Sequence, residues 1–405
     1  MNYYYKYLKY KKKYLNHRNI NMIGGVLPDY EKIKIIYNDE KKKSNDENAK
    51  LMVIQEFNRI LNTVKEKPEL KKNFLNLRIL LDNQFMKDIN CKYNYLITPK
   101  KYGCDLLELT YNILSNDINK ELELRNSILS GIASCALEKS SIPHILTDID
   151  DTLYANPGIF GINIAGSDYS WKKKELYPGL EEFYKYFTKF TQDKHIGVII
   201  YKTILSATPT SLKNHKLHDN NLKKALGDNF SFLSGKDSKI DAIKDIHEKG
   251  EYLVEPNAES VAATKFDKFQ KYRSLFPEYK LLFIGDNGQG DLIAGEKMLN
   301  VDKDCMVFIH NIIKKDGNFK FDDEKIKEYT TKDINKDRLF FFKNYFELSQ
   351  IFKQKNLLDE THVNLIKDSI SSKLRVNHSI SNEIINKNYH CCKGESCSLG
   401  CIKKN

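Results

Sequence analysis

Apolar and polar residues follow two different rhythms along this chain. Between residues 48 and 140 the apolar positions recur at helical spacing, and Leu51, Ile54, Phe57, Ile60, Leu61 and Val64 form one stripe. Side chains three and four apart share a face of an α-helix. Glycine is sparse there and strand alternation is absent, so the spacing predicts a small all-α domain over 48–140. From 141 to 350 the rhythm changes. Short apolar runs at 143–148, 196–206, 230–233, 281–285, 305–311 and 339–342 alternate with longer amphipathic stretches. Short continuous runs of this kind fit strands covered on both faces and joined by helical crossovers. The expectation is an α/β domain with a doubly wound, mostly parallel sheet, whose ligands lie beyond the C-terminal strand ends.

The flanks read differently. Residues 1–20 carry five Lys and one Arg with no acid, and Tyr3, Tyr7, Tyr10 and Tyr14 fall on one helical face. The segment 1–28 is either a basic amphipathic helix for an anionic surface or a solvated tail. Residues 29–47 are charged and read as a linker. The stretch 351–405 reads as a polar tail ending in His390, Cys391, Cys392, Cys397 and Cys401. That spacing matches no standard zinc finger, so Zn²⁺ binding, disulfides and lipidation all stay open.

Composition sets bounds. A chain of 405 residues holds two or three compact units, and 41% apolar content supports a sizeable core. The formal net charge of +11 favours anionic partners. No run of about 18 apolar residues occurs, so no transmembrane helix is expected. The N-terminus lacks the apolar stretch of a secretory signal. Cys91, Cys104, Cys135 and Cys305 are scattered, as reduced thiols are.

Chemistry enters at His144–Tyr154, where a strand-like run opens into Asp148-Ile-Asp150-Asp-Thr152. Paired carboxylates just past a buried strand are a poor core and a good place for a nucleophile beside a metal ion. Transfer of a phosphoryl group to a carboxylate brings anions together, so cations and hydroxyls must offset them. Candidates occur in a consistent order. Ser206 and Ala207 follow the run 197–205. Lys265 opens what reads as a helix start. Asp286 and Asp291 lie in Gly-Asp-Asn-Gly-Gln-Gly-Asp after the run 281–284. Hard oxygen donors on such a loop suit Mg²⁺.

Asp148-x-Asp150-x-Thr152 resembles the signature of the haloacid dehalogenase superfamily. Tyr177-Pro-Gly, Ser206-Ala-Thr-Pro, and Lys265 eleven residues before Phe276-Pro277 resemble the catalytic domain of actin-patch-associated phosphatidate phosphatases, as does Ile284-Gly-Asp-Asn-Gly-Gln-Gly-Asp291. Thr208 and Asn287 stand where that family usually has Ser, and the Pro-Glu-x-Tyr that often follows the last Asp is missing. The resemblance covers about 142–350. It implies a phosphatase that forms an aspartyl-phosphate on Asp148, with Asp150 as acid and base. Thr152, Ser206, Ala207 and Lys265 would contact the phosphate, and Asp148, Asp150, Asp286 and Asp291 would hold Mg²⁺. The roughly 25 residues between the first motif and Pro178 leave room for a short flap and no large cap. An open site suits a phosphate on a bulky group: a lipid such as phosphatidate, a nucleic-acid 3′-end or a phosphoprotein. Lys172–Lys174, beside Trp171, are either substrate contacts or a solvated charge run. An interaction protein that keeps the fold without turnover is the reading outside catalysis. The N-terminal Tyr/Lys string, ending near Gly24-Gly25, resembles segments on many proteins of giant DNA viruses. That implies a virion or an infected cell's cytoplasm or membrane periphery, and the double glycine resembles a cleavage signal.

Overall fold

The computed structural model describes residues 27–43, 46–89, 105–111, 118–155, 168–172, 175–209, 220–227, 229–235, 258–288 and 290–376. The basic N-terminal segment, the Gly24-Gly25 pair, Cys91, Cys104, most of the flap and the terminal Cys cluster lie outside them. The chain divides into two compact units. One comprises Met1–Lys139, Lys194–Ile200 and Lys271–Glu278; the other comprises Ser140–Asp193, Tyr201–Gln270 and Tyr279–Asn405.

The first unit is helical. Its elements are α1 (Leu27–Lys43), α2 (Asp46–Glu66), a 3₁₀ turn at Pro68–Leu70, α3 (Lys71–Asn83), α4 (Phe85–Asp88), α5 (Leu106–Tyr111) and α6 (Ile118–Cys135). The stripe on α2 is buried from Ile54 to Val64, as its spacing requires. The stretch expected to be a linker is largely α1. Its charges mask a second stripe, Tyr30, Ile33 and Tyr37, all fully buried. Arg78 of α3 is buried and forms an ion pair with Glu278, which is equally buried. Arg78 also donates to the Leu275 carbonyl at 2.5 Å.

The second unit is an α/β fold. It contains β1 (Ile142–Thr147), α7 (Leu180–Lys194), β2 (Lys202–Pro209), α8 (Asn220–Leu226), β3 (Phe230–Gly235), α9 (Ala258–Leu275), β4 (Tyr279–Asp286) and α10 (Asp291–Val301). β5 (Met306–His310), α11 (Asp323–Thr330), β6 (Leu339–Phe342), α12 (Tyr345–Gln354) and α13 (Glu360–Val376) follow. All six strands pair in parallel, in the order β3-β2-β1-β4-β5-β6. Both faces are covered, and successive residues of β5 show it. A β-carbon on Gly295 of α10 would collide with Val307. Phe308, the next residue, packs on Phe352 of α12 at 4.7 Å between ring centroids. Phe352 in turn meets Phe183 of α7 at 4.8 Å.

Three elements differ from expectation. The run 196–206 becomes strand only from Lys202. Residues 196–200 belong to the helical unit, where Asn76 accepts from the Ile199 N–H at 2.9 Å and donates to the Gly197 carbonyl at 2.7 Å. α9 begins at Ala258, so Lys265 lies in mid-helix and shares a buried face with Val261, Ala262 and Phe269. The polar tail begins with structure: α13 buries Val363, Ile366 and Ile370 at helical spacing and packs on α12. Gly179, at φ +82°, lies directly against Ile366 and Ile370.

Candidate functional site

Strand order reverses at β1. β2 and β3 extend the sheet to one side, and β4, β5 and β6 to the other. Crevices in open parallel sheets form at such reversals, outside the C-terminal strand ends. Asp148 follows β1 and Asp286 ends β4, the two strands that flank the reversal. Their register pairs Thr147 with Ile284, and the Asp148 N–H donates to the Ile284 carbonyl at 2.9 Å. Asp291 opens α10, where a carboxylate meets the positive end of the helix dipole.

These three carboxylates form one group. Each offers an oxygen, and those oxygens all lie within 4.8 Å of one another. All three residues are buried, Asp291 completely. Two glycines make the approach possible. A β-carbon at Gly285 would strike the Asp291 carboxylate, and one at Gly290 would strike the Ala258 carbonyl. Gly290 also needs φ +105°. Asp286 accepts from the Gly288 N–H, which closes the loop on itself.

Lys265 reaches this group from α9. Its Nζ lies 2.6 Å from Asp148 Oδ1 and is also paired with Asp291. Burial alone would lower the lysine's pKa, but the Asp148 and Asp291 charges outweigh it and raise the pKa. Burial raises Asp286 well above the carboxylate range, and Asp291, Asp151 and Asp148 add repulsion. Burial also raises Asp291, against the opposing pull of Lys265. One ammonium therefore does not offset the carboxylates packed here. A buried, all-oxygen, net-negative cluster fits a hard divalent cation and can hold a metal ion.

The remaining residues expected at the site lie on the turn after β1, on β2 and in the chain leading to α7. Asp150 is half-buried on the turn after β1, in a bridge with Tyr154. Its carboxylate is not part of the acidic group found among the described residues. Thr152 is fully buried, and its carbonyl accepts from Tyr345 Oη at 2.8 Å. Ser206 is buried within β2, where pairing with β3 shifts register after Leu205. Ala207 is half-buried. Lys172 pairs with Glu175 at 3.6 Å, while 173 and 174 lie outside the described residues.

Sequence reasoning passed over several groups packed against the motif turn. Asp151 sits at φ +54°, and its carbonyl lies 2.7 Å from His310 Nδ1. Buried Asp168 contacts the same turn. His310 ends β5, and its position at a strand terminus was the available signal. Asp168 lies in irregular chain and offered none. No helix among the described residues is long and apolar enough to cross a membrane. Comparison with protein-family models, curated proteins and solved structures yields no match to this chain.

Proposed function

We propose that this chain is a Mg²⁺-dependent phosphatase of the haloacid dehalogenase type, acting on a phosphate monoester through an aspartyl-phosphate. One observation carries the reading. Asp148, Asp286 and Asp291 converge at the strand-order reversal, with Lys265 bound to two of them. Four residues from three separate motifs, chosen for phosphoryl transfer, thus meet in one buried cluster. Structural ion pairs seldom combine three carboxylates with one cation, because burying unpaired charge is costly.

In this reading an Asp148 carboxylate oxygen attacks phosphorus, and the ester P–O bond breaks as the P–O bond to Asp148 forms. Asp150 gives its proton to the departing alkoxide. It then takes a proton from the water that attacks the aspartyl-phosphate, which frees inorganic phosphate and restores both carboxyls. Lys265 fixes the orientation of Asp148 and offsets charge on the phosphoryl oxygens, with Thr152, Ser206 and Ala207 lining the same end of the sheet. Asp148, Asp286 and Asp291 would hold Mg²⁺, with Asp150 beside them, and the ion would supply further positive charge at the phosphoryl group.

For the substrate we favour a lipid phosphate such as phosphatidate. The motif resemblance and the net charge of +11 support it. The test is hydrolysis of phosphatidate in vesicles, 3′-phosphorylated DNA and a phosphopeptide, each with Mg²⁺ and with excess chelator. Preferred release from phosphatidate, abolished by chelator and by Asp148→Asn, is expected. Preference for the DNA end or the peptide would reassign the substrate. Chelator-resistant activity, or full activity in Asp148→Asn, would refute the mechanism.

A further inference from the structure

Asp168 lies 20 residues beyond Asp148 and outside every motif, yet it is 1% exposed. Its oxygens collect four donors. Oδ1 accepts from the N–H groups of Ser170 at 3.0 Å and Ile313 at 2.8 Å. Oδ2 accepts from Tyr177 Oη at 2.6 Å and from Ser170 Oγ. The Asp168 N–H donates to Asp151 Oδ1 at 3.1 Å. The next residue, Tyr169, donates to the Ile313 carbonyl at 2.8 Å. Three separate segments therefore meet at this residue: its carboxyl group binds the chain leading to α7 and the chain leaving β5, and its main-chain N–H binds the turn after β1.

A side chain that merely filled this space would be apolar, because burying a carboxyl costs free energy unless its hydrogen bonds fix something. The turn it touches needs fixing. Asp151 occupies the left-handed region, which costs a non-glycine residue roughly 1 kcal/mol or more. Tyr345 and His310 hold the carbonyls of that turn, and the main-chain N–H of Asp168 holds the Asp151 side chain. Asp150 is the residue just before.

We infer that Asp168 is a positioning residue: it locks the turn that carries Asp150 in the geometry its proton transfers require. This rests on the phosphatase reading above. Asp168→Ala would strip two backbone N–H groups and the Ser170 and Tyr177 hydroxyls of their acceptor, and so loosen the backbone whose N–H at 168 holds Asp151. A displacement of about 1 Å at a catalytic group costs on the order of 10²-fold in rate. Asp168→Asn should recover most of that rate. Its Oδ1 can keep both backbone donors, while the Ser170 and Tyr177 hydroxyls reverse and accept from its amide.

The experiment uses the full chain with Mg²⁺ and para-nitrophenyl phosphate as probe. Backbone hydrogen exchange is followed over 148–155 and, as a control, over β5. For Asp168→Ala we expect kcat to fall by about 10²-fold with KM held within about threefold. Exchange should rise over 148–155 but not over β5, and Asp168→Asn should resemble wild type in both readouts. A retained kcat, unchanged exchange over 148–155, or an Asn variant as impaired as Ala would each overturn the inference. If wild type hydrolyses neither the probe nor the phosphatidate, DNA and peptide substrates above, the phosphatase reading fails, and exchange alone still decides whether Asp168 holds the turn. If the Ala variant does not fold, Tyr177→Phe, which removes one of the four donors, gives the same test at smaller amplitude.

Discussion

Asp286→Asn should make the metal-free protein more stable while weakening its response to Mg²⁺. Asp286 is buried, and one of its oxygens lies within 4.8 Å of one oxygen each of Asp148 and Asp291. Two like charges at that separation repel by about 3–4 kcal/mol at an effective dielectric of about 20. Lys265 is bound to the other two carboxylates and offsets only part of this, and partial protonation removes more. The asparagine keeps an acceptor for the Gly288 N–H and turns a repelled oxygen into an amide donor facing carboxylates. A net gain of about 1–3 kcal/mol is therefore expected in chelator. In a domain of this size each kcal/mol moves the melting temperature by about 2–4 °C. The assay is thermal or urea unfolding of both proteins, in excess chelator and in millimolar Mg²⁺. Mg²⁺ should stabilise wild type by about 2–3 kcal/mol if present at about 100 times its dissociation constant, and the variant by much less. A variant less stable than wild type in chelator, or equally stabilised by Mg²⁺, would refute the reasoning.

Three further expectations follow from other parts of the structure and sequence. His144 is fully buried, and burial together with the nearby Lys202 charge pushes its pKa down to about 3. The unfolded chain binds this proton near pH 6.5, so its stabilising contribution is complete above that value and declines as pH falls towards 3, by about 5 kcal/mol in all. His144→Gln, which can keep the 2.9 Å contact with Thr203, should flatten the pH dependence of urea stability between 7 and 4, and an unchanged slope would contradict this. Arg78→Met leaves Glu278 buried without its cation and should cost about 3–5 kcal/mol, measured by urea unfolding. Adding Glu278→Leu should restore part of that loss, and a double variant worse than either single one would argue against charge burial as the cause. Deleting residues 1–25 should leave hydrolysis of a soluble ester unchanged while weakening co-sedimentation with anionic vesicles. The difference should shrink as salt rises, since exposed charges are screened within about 8 Å at physiological ionic strength; lost ester hydrolysis would tie the segment to the enzyme.

The six strands were legible because each is a short apolar run, most of them ended by Gly, Pro, Asp or a charged residue. α1 and α13 were hidden by their own solvent faces. Lysines and acids dominate α1 and polar residues dominate α13, while three buried residues in each carry the packing. The over-long reading of β2 arose because Val198–Ile200 are apolar, although Asn76, a side chain more than 100 residues away, takes the backbone groups that flank Val198. The same asymmetry marks the site. Asp148, Asp286, Asp291 and Lys265 were legible because strand-end carboxylates and a following lysine are a local pattern repeated in a fixed order. Asp168 meets Asp151 and Ile313 through hydrogen bonds between distant segments, and such bonds leave no spacing to read; His310 offered only its place at a strand end.

The central claim is that Asp148 forms a covalent bond to phosphorus. The most direct measurement is acid quenching during turnover of a phosphate ester with Mg²⁺, followed by mass spectrometry of the peptide that contains residues 144–154. We expect that peptide to gain the mass of one phosphoryl group on Asp148 in wild type, to gain more in Asp150→Asn, where water attack is slowed, and to gain none in Asp148→Asn. Sustained turnover with no adduct in either wild type or Asp150→Asn, or an adduct on any other residue, would contradict it.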